Sequence, residues 1–235
     1  MQKFFLHFFV IALLLLSSAY ATEDNTNLSL SQARSSQILE NLKTLDEAGV
    51  DLSVYGRPSW FQAAKLGFTD VISFLVHKYI KVDEVEEKEG KTALHFASQM
   101  GHAHIVDLLL KEGAYIDKVN KNKFTPLKLA AFYGHSETVQ ILLQYNVNIN
   151  ENIKALHYAA MGGHIKIIKS LLEAGFDINA TASWNRNSTP MHVAAEYGQH
   201  EALTILIENG AKLDPICNDY TPVQLAASNG HASLV

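Results

Sequence analysis

The chain has 235 residues, of which 48% are hydrophobic and 18% charged. These proportions are ordinary for a globular protein and sufficient for one elongated domain or two compact ones. The formal net charge is −5 and no run of lysine and arginine occurs, which argues against nucleic acid as the main partner. The single cysteine, Cys217, excludes an internal disulfide, so stability must come from packing.

The first 21 residues have the layout of a secretory signal peptide. A positive start at Lys3 precedes an apolar run at positions 4–16, and a small-x-small sequence ends at Ala21. This pattern predicts cleavage after Ala21 and a secreted or periplasmic location. The alternative is a membrane anchor formed by residues 4–21, which are slightly fewer than the roughly 20 apolar residues that span a bilayer.

A polar segment rich in asparagine and serine follows. We predict that residues 22–36 are a flexible lead-in. Apolar side chains then recur at helical spacing from Ile38 to Leu45, and Gly49 is expected to end this helix.

From residue 58 onwards the chain repeats one stretch, whose clearest copy begins at Thr125. Thr125 is a preferred N-cap residue, Pro126 suits the first helical position, and Gly134 suits the left-handed conformation that ends a helix. A second amphipathic helix is predicted over residues 137–143. The two helices form a helix–turn–helix unit that is too small to bury its own apolar face.

The spacing of the copies is nearly constant. Their helix-ending glycines are 34, 33, 29, 35 and 32 residues apart, which predicts a stacked array of repeats. The interval of 29 is about four residues short of this period, so we expect a tight turn in place of a full hairpin at residues 148–153. The copies begin near residues 58, 92, 125, 154, 189 and 221.

The sequences Thr-Pro-Leu-Lys-Leu-Ala at 125–130 and Thr-Pro-Met-His-Val-Ala at 189–194 resemble the Thr-Pro-Leu-His-x-Ala signature of ankyrin repeats. The resemblance covers roughly residues 35–235. It implies an all-α ankyrin-repeat solenoid of stacked helix–turn–helix units with short β-hairpin or turn connections. Residues 37–57 would then be an N-terminal capping half-repeat and residues 58–235 the repeats. The last repeat stops inside its second helix, so we expect the sequence to be a fragment; the alternative is that the last half-unit is an imperfect cap that leaves apolar surface exposed.

In this family glycine usually stands two residues before each cap, where the backbone takes a positive φ. Lys123 occupies that position in the clearest copy, whereas the other copies have Gly, Asn or Asp. Lysine does not adopt this conformation at low cost, so we predict either a different turn or modest strain at Lys123.

Eleven histidines raise the question of a metal site, above all at His102 and His104. The resemblance implies structural roles instead, with His95, His157 and His192 bonding the backbone within and between repeats. The histidines that follow the helix-ending glycines would tie adjacent loops together. We expect no metal and no cofactor, because a zinc site requires converging ligands.

The chain has no sequence signature of catalysis, since it lacks a Gly-rich phosphate loop, a Gly-x-Ser-x-Gly elbow and a His-Glu-x-x-His motif. We therefore predict that it is not an enzyme. The resemblance implies a monomeric interaction module or scaffold that binds another protein, and neither nucleic acid nor a membrane once the signal peptide is removed. The alternatives are a membrane-tethered scaffold and the recognition part of a larger enzyme.

In ankyrin arrays the hairpin tips and the late positions of the first helix line a concave binding face. Aromatic and arginine side chains dominate interface energies. The aromatic residues at these positions either form one exposed patch, with Phe124, Tyr133, Trp184 and Tyr197 as its members, or pack between the hairpins. The candidate partner-binding residues are Met100, Lys121, Phe124, Phe132, Tyr133, Trp184, Arg186, Tyr197 and Tyr220.

Overall fold

The protein is seen here as a computed structural model, which describes residues 28–76, 78–182, 187–213, 215–216 and 220–231. Over these residues the secondary structure is helical apart from isolated antiparallel bridges, such as that between Val85 and Thr92. This confirms the predicted all-α class. No helix in these ranges is both long enough and apolar enough to cross a bilayer. The predicted signal peptide, residues 1–21, lies outside the described residues.

The described residues fall into two compact units, residues 28–97 with 104–115 and residues 98–103 with 116–231. The helices at the start of the first unit pack around a common apolar core, with α1 and α3 both in contact with α4. Leu42, Leu45 and Trp60 are almost completely buried in it. Its helices are α1 (Leu28–Glu47), α2 (Leu52–Tyr55), α3 (Arg57–Leu66) and α4 (Thr69–Val76), followed by most of α5 (Ala93–Met100) and α6 (Ala103–Lys111).

Helix α1 begins at Leu28, so residues 28–36, which belong to the segment predicted to be a flexible lead-in, are helical. Ser35 is buried on the same helix face as Ile38 and Leu42, which follow it at helical spacing. The packed second half of the helix favours this extension, since adding a turn to an existing helix costs far less than starting one. Residues 22–27 lie outside the described residues.

The second unit consists of helix pairs stacked side by side. The first helices of successive pairs, α7, α10, α12 and α14, contact one another in that order, and the second helices α8, α11 and α13 form an adjoining layer. The apolar side chains between the layers are buried. The helices are α7 (Pro126–Tyr133), α8 (Ser136–Gln144), α9 (Ile149–Asn152), α10 (Ala155–Met161), α11 (Ile165–Glu173), α12 (Pro190–Glu196), α13 (His200–Glu208) and α14 (Pro222–Ser228).

Helix α7 begins and ends as the sequence predicts. The Thr125 hydroxyl accepts a hydrogen bond from the Lys128 amide at 3.2 Å, and Pro126 is the first helical residue. Gly134 has a φ of 82° and ends the helix in the left-handed conformation. The lack of a side chain at Gly134 also makes room for the His164 ring, because a Cβ at this position would lie 2.6 Å from Cε1 of His164.

Two further predictions concern the connections before and after the α7–α8 pair. Lys123 has a φ of 63°, close to the 65° of Asn187 in the equivalent position, so the turn is retained and the lysine carries modest strain. The tight turn expected at residues 148–153 is instead the one-turn helix α9. The Asn148 side chain caps it by accepting from the amide of Asn150 at 3.0 Å.

Candidate protein-binding surface

A series of side-chain hydrogen bonds joins the loops of neighbouring helix pairs in the second unit. Nε2 of His135 donates to the carbonyl of Gln99 at 2.9 Å, and Nε2 of His164 donates to the carbonyl of Phe132 at 3.3 Å. These bonds fix the carboxyl ends of the first helices, where the predicted surface residues lie. Nε2 of His231 likewise donates to the carbonyl of Glu196. In the remaining copy a glutamine replaces the histidine, and Nε2 of Gln199 donates to the carbonyl of Met161.

The histidines inside the first helices bond the backbone as predicted. Nε2 of His192 donates to the carbonyl of Tyr220 at 3.3 Å, so its Nδ1 is the acceptor for the Thr189 amide. Nε2 of His157 donates to the carbonyl of Ser188 at 3.0 Å. Burial lowers the pKa of both imidazoles and favours their neutral form.

Histidines do not converge on a metal position in the part of the chain that the structure describes. No group of three or more His, Cys, Asp or Glu side chains in these ranges is arranged to hold a metal ion. His102 and His104, the strongest metal candidates in the sequence, belong to no such group.

Four aromatic rings form one cluster in the second unit, Phe124, Phe132, Tyr133 and Tyr158, called here the aromatic cluster. The rings of Phe124 and Tyr158 stack with centroids 5.1 Å apart and planes inclined by 25°. Phe132 meets Phe124, Tyr133 and Tyr158 edge-on, at 6.4, 5.0 and 5.7 Å. The cluster joins the loop before α7, the end of α7 and the middle of α10.

The cluster has a buried side and an exposed side. Phe124 and Tyr158 are half-buried, and burial raises the pKa of the Tyr158 hydroxyl. Phe132 is 39% exposed and Tyr133 is 48% exposed. The hydroxyl of Tyr133 accepts a hydrogen bond from Nε2 of Gln99 at 3.3 Å. Phe132 therefore rests on the two half-buried rings, and Tyr133 packs against Phe132.

The other candidate residues extend this surface without all joining the cluster. Met100, Tyr133 and Tyr197 occupy the same position in three copies, and each is about half exposed. Gly162 holds that position in the intervening copy, so the row of large side chains is interrupted there. Lys121 and Tyr220 are exposed on loops that precede first helices, whereas Trp184 and Arg186 lie outside the described residues.

Of the four residues predicted to form one patch, the structure brings Phe124 and Tyr133 together through Phe132, whereas Trp184 lies outside the described residues. Phe124 and Tyr133 belong to one cluster, yet Phe124 packs against the following copy while Tyr133 faces solvent. Sequence reasoning missed Tyr158, which packs against Phe124 and the exposed ring of Phe132. An alignment of the copies gives a partial signal, because Leu129 and Val193 are aliphatic at this position, whereas Phe96 of an earlier copy is aromatic.

Sequence reasoning also missed two lysines beside the cluster. Lys128 is only 7% exposed, and its Nζ donates to the carbonyl of Lys123 at 3.3 Å. Burial lowers the pKa of the Lys128 ammonium, and the positive charge of Lys154 lowers it further. Lys128 stands where His157 and His192 stand in their copies, which identifies it as an unusual residue once the copies are aligned.

Comparisons with known proteins identify the family to which this arrangement belongs. The family model for ankyrin repeats (3 copies) matches residues 30–120, 112–182 and 156–235. The chain is an ankyrin-repeat protein. A solved structure, the human ASB11 ankyrin repeat domain, is similar to it with a TM-score of 0.66 and 26% sequence identity. The match covers 72% of this chain and 76% of the human one.

Two curated relatives that match part of this chain are longer proteins. A transient receptor potential cation channel subfamily A member 1 homolog from Caenorhabditis elegans is 31% identical over 154 residues, 63% of this chain and 13% of the relative. A putative E3 ubiquitin-protein ligase, XBAT31 from Arabidopsis thaliana, is 30% identical over 181 residues, 69% of this chain and 40% of the relative. This ankyrin-repeat protein thus spans less than half the length of either relative.

Ankyrin repeats form a protein–protein interaction module that is typically non-catalytic. The repeats of this chain therefore belong to a class of module that generally binds other proteins. Its surface carries side chains of the kind that such recognition uses, exposed aromatic rings held on a packed support.

Proposed function

We propose that this ankyrin-repeat protein is an exported, non-catalytic scaffold that binds a protein partner through the aromatic cluster and the other candidate residues of the predicted binding face. These candidates are Met100, Lys121, Tyr197 and Tyr220, together with Trp184 and Arg186, which lie outside the described residues. The observation that supports this choice of face is the fixed pair of exposed rings, Phe132 and Tyr133.

The energetic argument starts from the cost of exposing aromatic surface. Phe132 and Tyr133 each leave more than a third of their surface in water, although α7 has buried positions nearby. A partner that covers both rings would gain the hydrophobic contribution of that area. The stack of Phe124 on Tyr158 already holds Phe132 in place, so little side-chain entropy remains to be lost on binding.

Mutation of the exposed rings tests the face directly. We expect the Phe132→Ala, Tyr133→Ala double variant to bind its partner at least tenfold more weakly, because truncated aromatic anchors each cost about 1–2 kcal/mol or more. Tyr115→Ala is the matched control, since Tyr115 is 59% exposed but lies outside the proposed surface. The measurement is quantitative capture of partners from the native extract on immobilised wild-type and variant protein.

The capture experiment has two informative results. Loss of a specific set of captured proteins in the double variant, with retention in the Tyr115 variant, is the expected result. Equal capture by the double variant and the wild type would show that another face binds the partner, provided that both have the same far-ultraviolet circular dichroism.

The proposal of export rests on the signal-peptide pattern of residues 1–21 and predicts the mature N-terminus. Protein purified from the culture medium or periplasm should begin at Thr22. Recovery of a chain that still begins at Met1 from the membrane fraction would instead support tethering by residues 4–21. N-terminal sequencing of both fractions makes the distinction.

A further inference from the structure

We infer that the partner presents an acidic segment to this surface, with aspartate or glutamate side chains against the lysines that border the aromatic cluster and apolar side chains against its rings. The inference rests on the proposed function and adds the chemistry of the partner.

Charge is distributed unevenly along the chain. The whole chain carries a formal net charge of −5, yet residues 117–158 contain five lysines and only three acidic residues. This stretch includes all four members of the aromatic cluster. The five lysines are Lys118, Lys121, Lys123, Lys128 and Lys154.

The spacing of three of these lysines places them beside the rings. Lys123 directly precedes Phe124. Lys128 precedes Phe132 by four residues on α7, a spacing that places two side chains on the same helix face. Lys154, the N-cap residue of α10, likewise precedes Tyr158 by four residues. A lysine therefore lies one residue or one helical turn before each of three rings in the cluster.

The charged groups around Lys128 partly oppose one another. Burial is the main cause that lowers the pKa of the Lys128 ammonium, and the positive charge of Lys154 lowers it further, whereas Glu151 and Asp117 favour the charged form. Both carboxylate oxygens of Asp117 accept hydrogen bonds, from the amide of Asn148 at 2.9 Å and from Nδ2 of Asn152 at 2.6 Å. A carboxylate brought by a partner would reduce the repulsion between the two lysines.

Other partner chemistries fit less well. A basic segment would add to the repulsion between the lysines, and a purely apolar segment would leave it in place. Nucleic acid would meet a chain of net charge −5, and one face of the Phe124 ring is already stacked on Tyr158 and so cannot stack on a base.

A peptide selection tests the inference with a defined probe, a phage-displayed library of random twelve-residue peptides panned against the full chain. We expect the enriched peptides to combine aspartate or glutamate with aromatic or leucine side chains. The affinity of a selected peptide should fall at least tenfold between 20 and 300 mM salt, because exposed charges are screened.

Charge reversal provides the decisive comparison. The Lys123→Glu, Lys154→Glu variant should bind the selected peptides at least tenfold more weakly, and a new selection against it should enrich lysine and arginine. The matched control is Lys166→Glu, Lys169→Glu, which makes the same change at two exposed lysines of α11 and should bind within twofold of the wild type. Circular dichroism verifies that each variant is folded.

Each remaining outcome counts against a specific statement. Enriched peptides that are neutral or basic, or an equal loss in the control variant, would overturn the inference of an acidic partner. Displacement of a selected peptide by a mixed-sequence DNA oligonucleotide would overturn it in favour of nucleic acid. Peptides that bind the Phe132→Ala, Tyr133→Ala variant as well as the wild type, or a selection that enriches no peptide, would contradict the proposed face itself.

Discussion

At the scale of single residues, Tyr133 shows how an exposed ring can be held ready for contact. Its hydroxyl accepts from Gln99, its ring lies nearly parallel to that of His135 with centroids 6.4 Å apart, and Phe132 meets it edge-on. Tyrosine also has few rotatable bonds, so it offers a large contact area for a small loss of entropy. These contacts are the physical reason to place binding at this position.

Glycine in place of Lys123 should make the folded protein more stable. The φ of 63° at Lys123 lies in the left-handed region, which costs a non-glycine residue roughly 1 kcal/mol. We expect Lys123→Gly to raise the free energy of unfolding by up to about 1 kcal/mol, measured by urea denaturation. Lys121→Gly in the same loop should give no gain. A lower stability for Lys123→Gly would show that the lysine side chain contributes more than its backbone strain costs.

The buried histidines predict how stability depends on pH. Burial lowers the pKa of His157 and of His192 in the folded protein, whereas the unfolded chain takes up a proton below about pH 6.5. The unfolded state therefore binds more protons as the pH falls, and the free energy of unfolding should decrease below pH 6.5 by at most about 1.4 kcal/mol per histidine at pH 5.5.

Urea denaturation at pH 7.5 and pH 5.5 measures this effect. Glutamine is the matched replacement, because Gln224 occupies the same position in its copy and bonds the amide of Thr221 at 2.8 Å. The His157→Gln, His192→Gln variant should lose most of the difference in stability between the two pH values. If the variant keeps the full difference in stability between the two pH values, groups other than these two histidines cause that difference.

At the scale of elements, α9 shows why a truncated connection still gives a stable repeat. Asn152, at the end of α9, donates to Asp117 and accepts from the hydroxyl of Thr125, and all three side chains are buried. The network joins the loop before α7, the cap of α7 and α9 in place of a full hairpin. Buried polar groups of this kind are costly unless each is paired.

Removing the central member of this network should therefore be costly. We expect Asn152→Ala to lower the free energy of unfolding by about 2–3 kcal/mol, since Asp117 and Thr125 would each lose a buried partner. Asn150→Ala is the control, because Asn150 is exposed and its recorded bond to Asn148 uses only the backbone amide. Thermal or urea denaturation measures the stability of both variants. A loss no larger than that of the control would mean that water or neighbouring groups replace the missing amide.

The same elements show what could be predicted from sequence. The start of α7 at Thr125 and its end at Gly134 follow from local rules on caps and glycine, and both are confirmed. Helix α9 could not be predicted, because it depends on bonds to Asp117, more than thirty residues earlier in the chain. Tyr158 was missed for a similar reason, since its importance lies in contacts with the preceding copy.

At the scale of the whole molecule, the ankyrin-repeat model matches most of this chain, and the chain matches less than half the length of two longer relatives. A shared fold does not assign a partner, since recognition depends on the residues presented on it. In this chain Lys128 stands where His157 and His192 stand in their copies. The four rings of the aromatic cluster likewise come together in the second unit. Under the proposed function, the choice of partner is expected to depend on residues 117–158.

Radical footprinting of the protein alone and with its captured partner tests the central claim most directly, because it reports solvent access of individual side chains. The account predicts that oxidation of Phe132 and Tyr133 falls at least severalfold when the partner is bound. Oxidation of Tyr115, which is more exposed than either ring but lies outside the proposed surface, should stay unchanged. Protection confined to other residues, with Phe132 and Tyr133 oxidised as readily as in the free protein, would contradict the account.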